Sequence, residues 1–221
     1  MRLSGFLASA LLLAATWGAA LPAQAARVLA TTGTLQLQRG DVLLPVAVGT
    51  RLREGDALVS ATGAEAYVRF DDGARMALRA DSTLHITTLQ LKGPRSKRQK
   101  ALRIVQGGLR YISSKLSARQ RMAFVTPTAT IGIRGTDIEI AVADEAVNDD
   151  PSGTYLKVNT GAATLTAVDG TVVALDPGQV AFGGEPELVP RGAGGTRRPA
   201  GRKVEPTSGL FKAGVLDKWM R

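Results

Sequence analysis

The sequence predicts an all-β protein: a sandwich, a roll or a β-solenoid-like module built from short antiparallel hairpins, followed by a flexible basic tail. Three observations carry that prediction. Apolar and polar residues alternate with period two through most of residues 34–182, the pattern of half-buried strands. Turn-forming pairs such as Asp72-Gly73 and Asp169-Gly170 punctuate the alternation, at intervals of roughly 8–12 residues that suit sandwiches and barrels. No stretch of the body keeps the apolar period of about 3.6 residues that a helix would need.

The first 25 residues stand apart from this body. Arg2 precedes an apolar run over residues 6–20, interrupted by Ser9, Thr16 and Gly18, and Ala23-Gln24-Ala25 closes it. A basic start, a short apolar stretch and a small-residue cleavage site make a secretory signal peptide. The mature chain is therefore expected to begin at Ala26, outside the cytoplasm. No later segment approaches about 18 consecutive apolar residues, so the mature chain is not expected to span a membrane.

Within the body, residues 34–38 and 40–46 pair around Arg39-Gly40-Asp41. Residues 66–70 point Ala66, Val68 and Phe70 to one face, Asp71-Asp72-Gly73 turns the chain, and residues 75–79 return Met76 and Leu78 inward. An Asp-Gly between two alternating runs is a strong hairpin signal. Residues 83–91 continue with Leu84, Ile86 and Leu89. Residues 102–111 carry Gly107-Gly108, which marks a turn or a bulge. A short apolar strand at 122–125 stops at Pro127, and residues 131–142 alternate through Ile138, Ile140 and Val142. Residues 155–158 run to a turn at Asn159-Thr160-Gly161, residues 163–168 and 171–175 flank Asp169-Gly170, and residues 180–182 follow the turn at 176–179.

After Gly184 the composition changes. Pro186, Pro190, Pro199 and Pro206 with several glycines mark residues 185–208 as a flexible linker. In residues 209–221, Leu210, Phe211, Val215, Leu216, Trp219 and Met220 recur at helical spacing. Such a short amphipathic helix has three places to dock: its own domain, a partner, or, as a peripheral contact, a membrane surface.

The chain holds 28 Lys+Arg, 19 Asp+Glu, one His and no Cys, a formal charge of +9. The missing cysteines exclude thiol catalysis, disulfides and a lipid-anchored cleavage site. The excess of positive charge is local. Residues 92–103 hold six basic residues and no acid, and residues 185–221 hold eight basic against four acidic. The rest of the mature body is nearly neutral. That distribution, on an exported chain, points away from nucleic acid and toward an envelope protein or an acidic glycan.

The order of motifs resembles the FecR domain family over residues 28–182. Residues 52–58, with Gly55-Asp56, resemble its G-D-x-L/I step, and residues 63–73, ending Asp72-Gly73, resemble its G-x-A-x-L-x-F-x-D-G hairpin. Asp81-Ser82-Thr83-Leu84 and Gly107-Gly108-Leu109-Arg110 resemble the next two steps. Residues 124–136, with Thr126-Pro127 and Arg134-Gly135-Thr136, resemble its T-P…R-G-T block, and residues 158–165 and 175–179 its closing steps. The resemblance implies a periplasmic, all-β module. In the family's best-known members that module belongs to a membrane-spanning regulator that relays a signal from an outer-membrane siderophore receptor to a cytoplasmic σ factor. Here a cleavable signal stands where those members carry a σ-interacting region and a transmembrane helix. The resemblance thus implies an exported binding or scaffold module.

For individual residues, Gly55-Asp56 and Asp72-Gly73 are expected to make turns. Arg134-Gly135-Thr136 has two readings: a tight backbone path with Arg and Thr bonded locally, or an exposed Arg134 gripping a carboxylate. Lys97, Arg98 and Lys100, in the basic run after Gly93-Pro94, are expected to contact a partner, with strong salt dependence. His85 is expected to face outward. Asp144, Glu145, Asp149 and Asp150 crowd one loop in a spacing unlike an EF-hand. No nucleophile elbow or phosphate-cradling loop occurs, so no catalytic residue, metal or cofactor is expected. Three functions follow: a non-enzymatic binder of an envelope protein or glycan; an accessory that passes an envelope signal to a membrane regulator; and a carbohydrate-active enzyme, which would need two facing carboxylates in a cleft.

Overall fold

A computed structural model describes residues 25–115, 120–189, 196–205, 209–211 and 213–220. Residues 1–24 of the expected signal peptide lie outside them. The strands are β1 (Ala26–Thr32), β2 (Leu35–Arg39), β3 (Val42–Pro45), β4 (Arg51–Leu52), β5 (Asp56–Ser60), β6 (Glu65–Phe70), β7 (Arg75–Leu78) and β8 (Thr83–Gln90). There follow β9 (Gln99–Ile112), β10 (Arg121–Val125), β11 (Ala129–Ala143), β12 (Gly153–Ala167), β13 (Val172–Leu175), β14 (Val180–Gly183), β15 (Glu187–Val189), β16 (Thr196–Arg198) and β17 (Gly201–Val204). A 3-10 helix, Val215–Met220, stands near the C-terminus.

Fifteen strands form one sheet that folds over on itself, while β15 and β16 pair separately. Three long strands belong to both layers. The first half of β9 lies between β8 and β10, and its second half between β7 and β11. The first half of β11 pairs with β10 and its second half with β9. In β12 the second half pairs with β13 and the first half with β14. One layer thus runs β3-β2-β5-β8-β9-β10-β11-β12-β13, and the other β4-β1-β6-β7-β9-β11-β12-β14-β17. Among the described residues all strand pairings are antiparallel except β9 with β10, which are parallel.

The crossings are made by glycine. Gly107, Gly135 and Gly161 take φ of +79°, +62° and +83° where β9, β11 and β12 pass between layers. A Cβ on Gly161 would stand 2.4 Å from the Gly135 carbonyl oxygen, and one on Gly107 would stand 2.3 Å from Ser82 Oγ. Strands that switch sheets through such bends are a known way of closing a sandwich. The expected turn at residues 159–161 is therefore corrected: the chain does not reverse there, and β12 continues through a bend. Gly107-Gly108 takes the bulge reading for the same reason.

Between the layers lies one core. Leu37, Leu58, Leu84, Ile86, Leu102 and Phe124 enter from the first layer, and Val68, Phe70, Met76, Tyr111, Ile138 and Leu156 from the second. The Tyr111 ring bridges them, edge-on to Phe70 at 6.1 Å and to Phe124 at 5.2 Å between centroids. Burial of such side chains stabilises by roughly 1.5–3 kcal/mol each.

The sheet also extends past residue 184, where the sequence sets the domain's end. Within the expected linker, β17 adds to β14 from Val180↔Val204 to Gly183↔Gly201. Asp169, in the preceding hairpin turn, accepts the Ala200 N–H at 3.0 Å and the Thr171 N–H at 2.9 Å. The bond from Ala200, foremost, lowers the Asp169 pKa. The last segment is a single 3-10 helix docked on its own domain. Leu216 and Met220 are buried against Tyr67 and Ala77.

Candidate functional site

Two buried carboxylates tie the frame together. Asp56, at the start of β5, is 1% exposed. Arg39 of the neighbouring strand grips both its oxygens, through Nε at 2.8 Å and Nη2 at 2.7 Å, and the Arg53 N–H adds a third bond at 2.9 Å. Those hydrogen bonds raise the Arg39 pKa. Asp72, in the turn between β6 and β7, caps Ala74 N–H through Oδ1 at 3.0 Å. Its Oδ2 lies 2.8 Å from Lys100 Nζ.

Lys100 corrects a sequence expectation. Placed with Lys97 and Arg98 on a partner-binding loop, it is instead 2% exposed and belongs to β9. Its ammonium donates to Tyr111 Oη at 3.0 Å and sits 4.0 Å above the centre of the Phe70 ring. The physical reason is strand alternation: Lys100 shares parity with Leu102 and Ile104, which are buried. Burial pushes its pKa down to about 8, against the pull of Asp72 in the other direction. Lys97 is exposed, and Arg98 is half-exposed, its Nε donating to the Gly93 carbonyl at 2.8 Å.

The T-P…R-G-T block also builds the frame. Thr126 Oγ1 accepts the Ala129 N–H at 2.9 Å and shares a hydrogen bond with Thr154 Oγ1 at 2.7 Å. Thr128 Oγ1 reaches Thr154 Oγ1 and the Gly183 carbonyl, both at 2.7 Å. This knot fastens β10, β11, β12 and β14 just beyond Pro127. Gly135 makes the layer crossing, and Thr136 is buried beside it. Gly55 and Gly73 take positive φ in their turns. Arg134 differs from its neighbours: it is exposed, and its side chain makes no hydrogen bond or ion pair among the described residues.

The outer faces of the two layers contrast where β9, β11 and β12 cross them, although Arg51, Arg27 and Arg69 form an exposed row at the far edge of the second layer. On the second layer, Arg110 grips Asp137 through Nε at 3.0 Å and Nη2 at 2.6 Å, which raises the Arg110 pKa. Glu139 lies 3.3 Å from Lys157 and 3.6 Å from Arg79, and Asn159 Nδ2 donates to both carboxylates. The C-terminal segment lies across this face. Glu65 accepts the N–H groups of Val215 at 3.0 Å and Leu216 at 2.9 Å, and Asp217 reaches Arg79 at 2.7 Å. Trp219 stacks on Tyr67 at 6.0 Å and remains 49% exposed.

On the first layer, one exposed row crosses the strands. Gln99 pairs with Arg121, the β10–β11 register continued by two residues sets Arg121 opposite Arg134, and Arg134 pairs with Ala162. Asp176 follows, one residue past the Ala163↔Leu175 pair. The next row is small throughout: Ala101, Ala123, Gly132, Thr164 and Ala174. Together they shape an open depression of about 860 Å³. Arg103, also exposed, stands on its far side opposite Val125.

Of the remaining residues, His85 is half-exposed between Ala57 and Arg103, opposite in parity to the buried Leu84 and Ile86. The acidic loop 144–150 gathers no metal-binding group among the described residues. Sequence reasoning missed Arg39 as the partner of Asp56, and it missed Arg121. The signal for Arg121 was present in its parity, opposite to the inward Met122 and Phe124.

Similarity to known proteins is found in a family model and in solved structures. Residues 56–164 match the family described as FecR protein. No curated protein matches the chain. Among solved structures, similarity is found to a candidate anti-sigma factor from Parabacteroides distasonis in two crystal structures. One, at 1.65 Å, gives 14% identity and a TM-score of 0.44, and the other, at 2.50 Å, 13% and 0.45. In both cases the alignment covers 66% of this chain and 59% of the solved chain.

Proposed function

Because residues 56–164 form a FecR domain, we propose that the chain is a non-enzymatic binding module of the cell envelope, acting in cell-surface signalling by contact with another protein. The signal peptide at residues 1–25 would deliver it to the periplasm. One observation supports this reading above the others: the residues of the family motif hold the frame. Asp56 and Asp72 sit in buried ion pairs, Thr126 in a hydroxyl knot, Gly135 at a layer crossing. A rigid frame with its variety on exposed loops and faces suits recognition.

A glycosidase would need a protonated carboxyl opposite a free carboxylate. Here Glu65, Asp137, Glu139 and Asp217 are each engaged by a cation or by backbone N–H groups. A protein partner is also favoured over an acidic glycan. Tyr67, Tyr111 and Tyr155 are buried, so few rings are free to stack on sugars.

Crosslinking in intact cells followed by mass spectrometry tests the reading. The expected result is capture of the exported chain with one envelope protein, weakened at high salt. Retention of the chain in the cytosol, or turnover of a glycan by the purified protein, would overturn it.

A further inference from the structure

The β10–β11 register, continued by two residues, sets Arg121 opposite Arg134 on adjacent strands, and neither is paired to an acid among the described residues. A like-charged cross-strand pair works against folding. It is held beside a bare, shallow floor of small side chains, and Arg103 adds a third cation across that floor. From β9 to β13 the floor is four strand spacings wide, about 19 Å, the length of roughly six residues of extended chain. Among the described residues, no aromatic side chain lines the depression, and Asp176 is the one acid that does. Gln120 adds a buried side-chain carbonyl oxygen that has no donor among the described residues.

We propose that this face is the docking surface for an extended acidic segment of a partner protein, with Arg121 and Arg134 closing on one carboxylate. The inference rests on the reading that the domain binds a protein. Charge complementarity selects the occupant: unpaired guanidinium groups in close register suit a carboxylate, which they can grip with several N–H donors. Asp176 sets the direction. It stands two strands beyond Arg134, about 10 Å, and so meets a basic residue about three positions from the acid. The molecule carries its own example of such a contact. On the opposite face an acid-bearing segment lies across the strands, with Asp217 on Arg79 at 2.7 Å and Leu216 buried next to it.

The test uses the whole mature chain and three probes: a fluorescein-labelled octapeptide with a central Glu and a Lys three residues later, the same peptide with Gln for Glu, and tetragalacturonate. Fluorescence anisotropy at low salt is expected to show binding of the Glu peptide alone. Binding should weaken at least tenfold in Arg121→Ala/Arg134→Ala and change less than twofold in Arg69→Ala, which removes an exposed cation from the second layer. Ala162→Glu, which sets a carboxylate of the chain itself beside Arg134, should block the peptide as strongly. Undiminished binding to either variant, equal binding of the Gln peptide, displacement by tetragalacturonate, or no binding at all would overturn the proposal. In cells the two ideas separate. A partner captured equally by wild type and the double variant removes this surface and leaves the function standing. No partner captured by wild type removes the function itself.

Discussion

On the outer face of the second layer, Arg79, Arg110 and Lys157 each meet an acid, and the chain's own C-terminal segment lies across the strands. On the outer face of the first layer, Arg103, Arg121 and Arg134 meet solvent. Both faces share the three long strands β9, β11 and β12, so backbone geometry alone does not separate them there. The difference lies in which side chains alternate outward on each side of the glycine crossings. In the second half of β11 these are Asp137 and Glu139; in the first half they are Gly132 and Arg134. A sheet that changes layer can thus give one strand two chemistries: a self-satisfied face on one side of the bend and a face that needs company on the other.

Between the two faces lies the interior tie that keeps the layers together, and removing it should have the largest effect. Lys100→Met leaves Asp72 buried without its cation, an arrangement that costs about 3–5 kcal/mol. Urea denaturation should show that loss, and Lys100→Met/Asp72→Leu should recover most of it. Recovery would show that the cost lies in leaving Asp72 buried without a partner, not in the shape of the site.

Next comes pH. Lys100 titrates near 8 in the fold and near its ordinary 10.5 when unfolded. Between those values the unfolded chain binds more protons, so stability rises with pH across the window and is lost as pH falls through 8. The contribution is on the order of 3 kcal/mol over the full span. Denaturation midpoints from pH 7.5 to 9.5 should climb in the wild type and stay level in the double variant. Above that range Tyr155, raised by burial to about 12, begins to act in the opposite sense.

Smaller again is the cover on the second layer. Leu216→Ala should cost about 2–3 kcal/mol at most, because the segment can lift off without opening the core. Loss of the Trp219–Tyr67 stacking should appear as a red shift of tryptophan emission before global unfolding. The smallest effect on stability belongs to the bare face. Arg134→Ala should move the melting midpoint by less than about 0.5 kcal/mol in equivalent free energy, or raise it by relieving the pair with Arg121. A large loss there would mean that Arg134 supports the frame, as one sequence reading allowed.

Much of this was legible in the residues. Alternation placed Val68, Phe70, Met76, Leu78, Ile138 and Ile140 inward, and all are buried. The motif order singled out Thr126 and Gly135, though not the hydroxyl knot the first builds or the layer crossing the second makes. What was not legible had specific causes. Asn159-Thr160-Gly161 carries the same turn chemistry whether a chain reverses or changes layer, and long-range pairing alone decides. β1 was missed because Ala26–Thr32 follows directly on the expected cleavage site and shows only a short alternation. Lys100 was read as part of a run of charge, although its parity with Leu102 already argued for the interior. The partner of Asp56 lies 17 residues upstream, a separation at which sequence carries no pairing signal.

β9 is the spine of both layers: four neighbours hang on its 14 residues, β8 and β10 on one half, β7 and β11 on the other. Such a molecule has no natural seam. Protease nicking anywhere along that spine should yield either an untouched body or complete digestion, never a surviving half, because among the described residues the strands β1–β8 are hydrogen-bonded to β10–β17 through β9 alone.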